Sequence, residues 1–146
     1  MAIHYSVQQT SINASPRVML RPNEMGGRVR IAYFEFTCGA VAPATGELIA
    51  LTTLPKGARI LGGVFAHNDL SDVGNSTIAI GDGVTADKYV AATGVFAAAA
   101  VFEFAHTIAL SFGQLLTAET TLWATVGTAD LTVGRILRGY VLYAVD

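Results

Sequence analysis

Two histidines and one carboxylate are the residues whose types and spacing could do chemistry. His67 and Asp69 form a His-x-Asp step at the end of an apolar run, and a second histidine, His106, follows later in the chain. Two histidines and a carboxylate can hold Fe(II) on one face and leave positions open for oxygen and substrate. A small iron enzyme is therefore one hypothesis for this sequence.

Three features argue against an iron site. The chain of 146 residues is short for an oxygenase with a substrate pocket. Enzymes that use 2-oxoglutarate place a basic residue soon after the second histidine, but here none comes between His106 and Arg135. The stretch HNDLSDVGNS, residues 67–76, is rich in Asn, Asp, Ser and Gly, which is typical of a loop. We predict that His67, Asp69 and His106 bind no metal.

Other motifs for catalysis are incomplete. Asp82 and Asp87 resemble part of a calcium loop, but the alternating acidic ligands and the closing Glu are missing, so a turn is favoured. Cys38 has no basic neighbour in sequence and follows an apolar run, which predicts an inert buried thiol. Glu103 lies between two phenylalanines, and strand alternation points it to solvent or to an interface. The sequence predicts neither an enzyme nor a cofactor.

The composition indicates a protein that shares its surface with a partner. Hydrophobic residues make up 52% of the chain and charged residues 14%, against roughly 25% charged in an average domain. The mean hydropathy is +0.49. The net charge of −2 argues against nucleic-acid binding. The apolar run 94–110 contains Glu103 and His106, which are costly in hydrocarbon, so we predict no membrane span.

From Val29 onward, apolar residues recur with the period of two that is typical of β-strands. In VRIAYFEFT, residues 29–37, Val29, Ile31 and Tyr33 share one face. Further strands are predicted at 48–54, 59–67, 76–80, 121–126 and in the last run, 131–146, separated by turns rich in Gly, Pro and Asp. The segment 96–104 holds four alanines that favour helix, but its alternating phenylalanines favour strand. We predict an all-β, single-domain β-sandwich or jelly roll with little helix.

The first 28 residues differ from the rest. They are polar, contain Pro16 and Pro22 and show no clean period, so we expect an irregular arm over 1–28 and a body over 29–146. Up to residue 30 the charged side chains are those of Arg17, Arg21, Arg28 and Arg30 and the single acid Glu24. This basic segment is expected to dock on a partner.

Four residues of the last apolar run complete the predicted interaction surface. Arg135 and Arg138 interrupt the run, either as ordinary surface charges or as anchors at a subunit contact. Tyr140 and Leu142 follow in the closing strand. Since many strands are apolar on both faces, part of this surface is expected to meet another protein.

Three stretches resemble a group of small structural proteins encoded beside tailed-phage capsid genes. They are LTTLPKGARILGGVFAHNDL, STIAIGDGVTADKYVAAT and LTAETTLWATVGTADLTVGRILRGYVLYAVD, and the resemblance covers about residues 30–146. It implies a capsid cement or decoration protein with a jelly-roll body, made in the host cytoplasm and placed on the capsid surface of the virion.

The resemblance implies the major capsid protein as a partner. The low charge and the strands that are apolar on both faces also predict contact with other copies of the chain. A homodimer is expected first and a trimer next, since two-fold contacts are the commonest closed arrangement. The alternative is a tail or fibre module that binds a receptor through Trp123, Tyr89 and Tyr140. The small Fe(II) enzyme remains a second alternative.

Overall fold

The computed structural model describes residues 6–22, 25–72, 74–95, 98–104 and 112–145. Within these ranges the chain forms one short helix and eight strands. They are α1 (Val7–Asn13), β1 (Arg28–Thr37), β2 (Leu48–Leu54), β3 (Arg59–Asn68), β4 (Thr77–Gly81), β5 (Val90–Gly94), β6 (Ala99–Phe104), β7 (Thr120–Gly127) and β8 (Ile136–Val145).

The strands form two antiparallel four-stranded sheets. The first sheet has the order β1-β8-β3-β6 and the second the order β2-β7-β4-β5. The first strand pairs with the last, the second with the seventh, the third with the sixth, and β4 with β5. Such nested pairing folded into two sheets is a jelly roll. The predicted all-β fold class is confirmed.

Period-two patterning explains how the core forms. Along β7 the side chains of Leu122, Ala124 and Val126 are buried, whereas Trp123 and Thr125 between them are partly exposed. Along β3 the same alternation buries Phe65 and His67, and a register shift between Ile60 and Gly62 lets Ile60 be buried as well. Burial of a side chain of this size contributes about 1.5–3 kcal/mol. The apolar layer between the two sheets therefore holds the eight strands together.

Two predicted boundaries differ from the structure. The last run was expected to be strand from residue 131, but β8 begins at Ile136, and Val133 is exposed in the turn before it. Gly134 has a φ of 81°, a turn conformation that separates the preceding residues from β8. The segment Val90–Gly94 pairs with β4 although its short, alanine-rich sequence carried no strand signal.

The first 28 residues also contain regular structure. Helix α1 begins after Ser6, whose side-chain oxygen accepts a hydrogen bond from the backbone N–H of Gln9. This N-cap stabilises a helix that the apolar period did not reveal. Arg28 belongs to β1, so the body begins one residue before the predicted boundary. Among the described residues, no strand packs extensively on α1.

Candidate interaction surface

His67 lies inside the sandwich. It belongs to β3, is buried, and stacks on Phe102 with ring centroids 5.6 Å apart and an interplanar angle of 8°. Burial lowers the pKa of the imidazole from 6.5, and the nearby charge of Asp69 opposes that shift. Neither ring nitrogen has a hydrogen-bond partner in the described structure. This environment favours a neutral histidine of the core.

The predicted loop HNDLSDVGNS begins later than expected, because β3 continues through Asn68. The Asn68 side-chain oxygen accepts a 2.7 Å hydrogen bond from the backbone N–H of Ile136 and so ties the end of β3 to β8. Asp69 follows with a φ of 50°, where the strand ends. His106 lies outside the described residues. The described ranges hold no group of three potential metal ligands among His, Cys, Asp and Glu.

Asp82 organises the turn between β4 and β5. One of its carboxylate oxygens accepts hydrogen bonds from the backbone N–H groups of Val84 (3.0 Å) and Thr85 (2.8 Å), and the other binds the ammonium of Lys88 at 2.7 Å. Burial raises the pKa of Asp82, but these three donors outweigh it and bring the pKa to about 2. The carboxylate is thus occupied by turn contacts, as the sequence indicated.

Cys38 is buried and Glu103 points outward, as the sequence predicted. Tyr89 does not fit the receptor-binding patch that the alternative hypothesis requires. Burial raises the pKa of the Cys38 thiol, and Glu103 is exposed on β6. Burial, with a smaller contribution from the charge of Asp82, raises the pKa of Tyr89 to about 12. Because only 3% of Tyr89 is exposed, it cannot form a surface patch with Trp123 and Tyr140.

The outer side of the first sheet carries a row of apolar side chains, here called the apolar face. The register places Ile31 opposite Leu142, Tyr33 opposite Tyr140, and Tyr140 opposite Val64. The exposed fractions are 62% for Val29, 65% for Ile31, 60% for Tyr33, 68% for Val101 and 37% for Tyr140. The face consists of Val29, Ile31, Tyr33, Val64, Val101, Tyr140 and Leu142. It matches the apolar surface that the composition predicted.

Arg138 and Glu35 at this face are paired within the chain, whereas Glu103, opposite Val64, is an exposed carboxylate on the same side of the sheet. Arg138 binds Glu35 with 2.8 Å between Nε and Oε2, and the Tyr33 hydroxyl donates to the same carboxylate oxygen at 3.0 Å. The hydrogen bond to Glu35 raises the pKa of Tyr33. Arg135 forms an ion pair with Asp72 beside the same sheet. Both arginines therefore have intrachain carboxylate partners, and their role as subunit anchors stays a prediction.

The outer side of the second sheet has a different character. Strand β7 presents Thr121, Trp123 and Thr125 there, and β2 presents Thr53. The hydroxyls of Thr53 and Thr121 lie 2.9 Å apart, within hydrogen-bonding distance. This threonine-rich side can remain hydrated, so the two outer sides of the sandwich are not equivalent.

The predicted basic residues fall into two groups. Arg17 and Arg21 are exposed in the segment after α1, and the Arg17 guanidinium donates to the carbonyl of Ile12 at 3.0 Å. Arg28 and Arg30 are exposed at the start of β1. Around the first pair, an apolar groove is lined by Ile12, Val18, Met19, Leu20, Pro22 and Met25. Glu24 lies outside the described residues.

No helix among the described residues is long and apolar enough to cross a membrane. No protein-family model and no curated protein matches the chain.

Several solved structures share the fold. A chain in the capsid of Ralstonia phage GP4 superposes with a TM-score of 0.69 at 21% identity, covering 82% of this chain and 86% of that one. A chain of the cyanophage Pam1 capsid asymmetric unit gives 0.66 at 22% identity, with 92% and 97% covered. A chain of the acid-stable capsid of Helicobacter pylori bacteriophage KHP30 gives 0.51 at 15% identity, with 80% and 87% covered.

Proposed function

We propose that this chain is a non-enzymatic structural protein of a phage virion. In this proposal it is a cement or decoration protein that binds the outer surface of the capsid and ties neighbouring capsomers together. Its partners are the major capsid protein and further copies of itself. The observation that carries the proposal is the apolar face, on which Val29, Ile31 and Tyr33 are each at least 60% exposed. Neighbouring exposed apolar side chains of this kind are typical of a protein contact surface.

The chemistry of the surface supports binding to a wide, shape-matched partner. The apolar face extends over four adjacent strands, whereas an enzyme site needs a concave pocket with converging polar groups. The shallow cavity on this face is lined mainly by apolar groups, with Arg138 at one side. The two paired arginines at its border keep the rim polar, as in other protein interfaces. Many copies on one lattice gain avidity, so each contact can be modest. The likeness of the fold to chains of two phage capsid structures supports a role in a virion.

A charge on the apolar face tests the proposal. Leu142→Asp is expected to reduce binding to capsid shells by at least about tenfold, because an uncompensated carboxylate in an apolar contact costs more than 1.4 kcal/mol. Thr125→Asp, on the outer side of the second sheet, is the matched control and is expected to bind shells like the wild type. The measurement is co-sedimentation of purified protein with shells that lack it. Equal binding by both variants would contradict the proposal.

The alternative is a tail or fibre module. The recognition patch expected for such a module lacks Tyr89, because Tyr89 is buried in the core. Trp123 packs closely against Gly83: a Cβ atom placed on this glycine would lie 3.0 Å from the indole ring. Gentle disruption of virions separates the two roles: a cement protein leaves with heads, and a tail module leaves with tails.

A further inference from the structure

Strand β1 is the least protected edge of the sandwich. It has ten residues and pairs with β8 without a register shift. The other edges are shorter or irregular: β2 shifts register between Ala50 and Thr52, β5 has five residues and β6 has six. Proteins commonly protect sheet edges by bulges or by short strands. Because β1 has neither device, its edge is suited to pairing with another strand.

The backbone groups that point to this edge can be identified. The Cys38 N–H donates to the carbonyl of Arg135, and the Cys38 carbonyl accepts from Gly134, so Cys38 faces the side of β8. Backbone groups alternate in direction along an antiparallel strand. The even-numbered residues of β1 therefore bond to β8. The N–H and C=O groups at the open edge belong to Val29, Ile31, Tyr33, Glu35 and Thr37.

We propose that β1 pairs with β1 of a second copy, antiparallel and about a two-fold axis, so that one sheet of eight strands crosses the dimer. This inference goes beyond the capsid role and concerns the protein alone in solution. Antiparallel pairing separates the basic ends of the two strands, whereas parallel pairing would bring Arg28 and Arg30 of both copies together. A second copy on this edge is therefore expected to run antiparallel to the first.

The side-chain pattern selects the register. Residues of equal parity must oppose one another, because otherwise the apolar face of one copy would continue as the inner face of the other. An axis at Ala32 places Ile31 opposite Tyr33 of the second copy and brings the smallest side chain of the strand to the axis. An axis at Tyr33 would place Ile31 opposite Glu35, and one at Ile31 would bring the Arg30 side chains closer together.

The register fixes how many hydrogen bonds join the two copies. Val29, Ile31, Tyr33 and Glu35 of each copy have a partner in this register, and each has one donor and one acceptor, so about eight hydrogen bonds form. Ala32 then lies in a non-hydrogen-bonded pair, with Cα atoms about 4.5 Å apart. The two apolar faces become one continuous surface on the same side of the joined sheet.

A proline tests the edge without removing bonds to β8. Ile31→Pro takes away an edge donor, and Ile31→Ala is the matched control that loses the same side chain and keeps its N–H. We expect the dimer dissociation constant of Ile31→Pro to exceed that of Ile31→Ala by at least about tenfold in analytical ultracentrifugation. Equal constants, a trimeric wild type or a wild type that stays monomeric at about 100 μM would overturn the proposal.

A disulfide tests the register and decides the question if Ile31→Pro does not fold. Ala32→Cys is expected to form a covalent dimer under mild oxidation, since its Cα spacing lies within the range of about 4.4–6.8 Å that a disulfide needs. Arg30→Cys is the control, because its two copies lie about 13 Å apart along the strands. The wild type, with its buried Cys38, is expected to stay uncrosslinked. Failure of Ala32→Cys to crosslink, or equal crosslinking by Arg30→Cys, would overturn the register.

Dimer formation through the β1 edge and shell binding through the apolar face can be tested separately. Leu142→Asp lies on the central strand β8, so it is expected to leave the dimer intact while it weakens shell binding. Relative to Ile31→Ala, which lacks the same side chain of the apolar face, Ile31→Pro is expected to lose the dimer and to bind shells equally well at high protein concentration. A Leu142→Asp variant that is monomeric would place the self-contact on the apolar face and contradict edge pairing.

Discussion

At the scale of single residues, the side chains with chemical potential serve the fold. His67 is a neutral stacking partner of Phe102, and Asp82 holds a turn. The types of these residues were visible in the sequence, but their roles were not. A His-x-Asp step has the same sequence whether the imidazole ring faces a metal ion or the core. The buried environment of His67 decides between the two and gives it a measurable pH dependence.

His67 is expected to make the fold sensitive to acid. Its pKa is lowered by burial, so the unfolded chain binds the proton more readily than the folded one. The favourable contribution of neutral His67 is complete above pH 6.5, the ordinary pKa of histidine, and decreases as the pH falls below it. His67→Leu is expected to reduce the drop in Tm between about pH 7.5 and about pH 5, measured by calorimetry. An unchanged drop would show that other groups govern the acid response.

Metal binding gives a second test of His67. The wild type and His67→Ala, each exposed to Fe(II) and desalted, are both expected to hold no stoichiometric iron by elemental analysis. The reason is that the imidazole of His67 faces Phe102 in the core. Iron retained by the wild type and lost in His67→Ala would revive the enzyme hypothesis.

Asp82 is expected to stabilise the fold at neutral pH. Its pKa shifts from 3.8 to about 2, which corresponds to about 2 kcal/mol. Asp82→Asn should lower the free energy of unfolding by about that amount, and exposed Asp87→Asn should change it by less than about 0.5 kcal/mol. The difference between wild type and Asp82→Asn should persist above pH 3.8 and shrink as the pH falls toward about 2. Denaturant titrations at several pH values measure both effects.

At the scale of elements, strands with strong alternation were predictable and short ones were not. The alternation in β1 and β7 fixes which side of each strand is buried. Strand β5 was missed because its five residues have little pattern of their own and form a strand through pairing with β4. Helix α1 depends on a local cap at Ser6 rather than on an apolar stripe. The apolar face follows from sequence period, but its register with β8 requires the fold.

The N-terminal segment is expected to add affinity for the shell. Removing residues 1–27, which spares β1, should leave a folded body whose circular dichroism remains that of a β protein. Co-sedimentation should show weaker binding to shells, because Arg17 and Arg21 are lost. In the full chain, the pair of substitutions Arg17→Gln and Arg21→Gln should weaken binding more at low salt than at high salt. Undiminished binding by the truncated protein would contradict a docking role.

At the scale of the whole molecule, one side of the sandwich is apolar and the other is rich in threonine. This asymmetry explains how a chain with 14% charged residues can present a hydrated surface on one side and a contact surface on the other. The low charge was visible in the sequence, whereas the apolar row across β1 and β8 was not, since it depends on which strands are neighbours. The charged residues of the strands also lie on the first sheet, and the strands of the second sheet contain none. A lattice of capsomers offers such a molecule many equivalent contacts.

Thermal rupture of capsids with and without the protein tests the central claim most directly. Heads that lack the protein are expected to assemble and then to release their contents at a lower temperature than complete heads, because the links between capsomers are missing. Adding back purified wild-type protein should restore the rupture temperature, as should Thr125→Asp, whereas Leu142→Asp should not. If depleted heads rupture at the same temperature as complete heads, the chain does not reinforce the capsid.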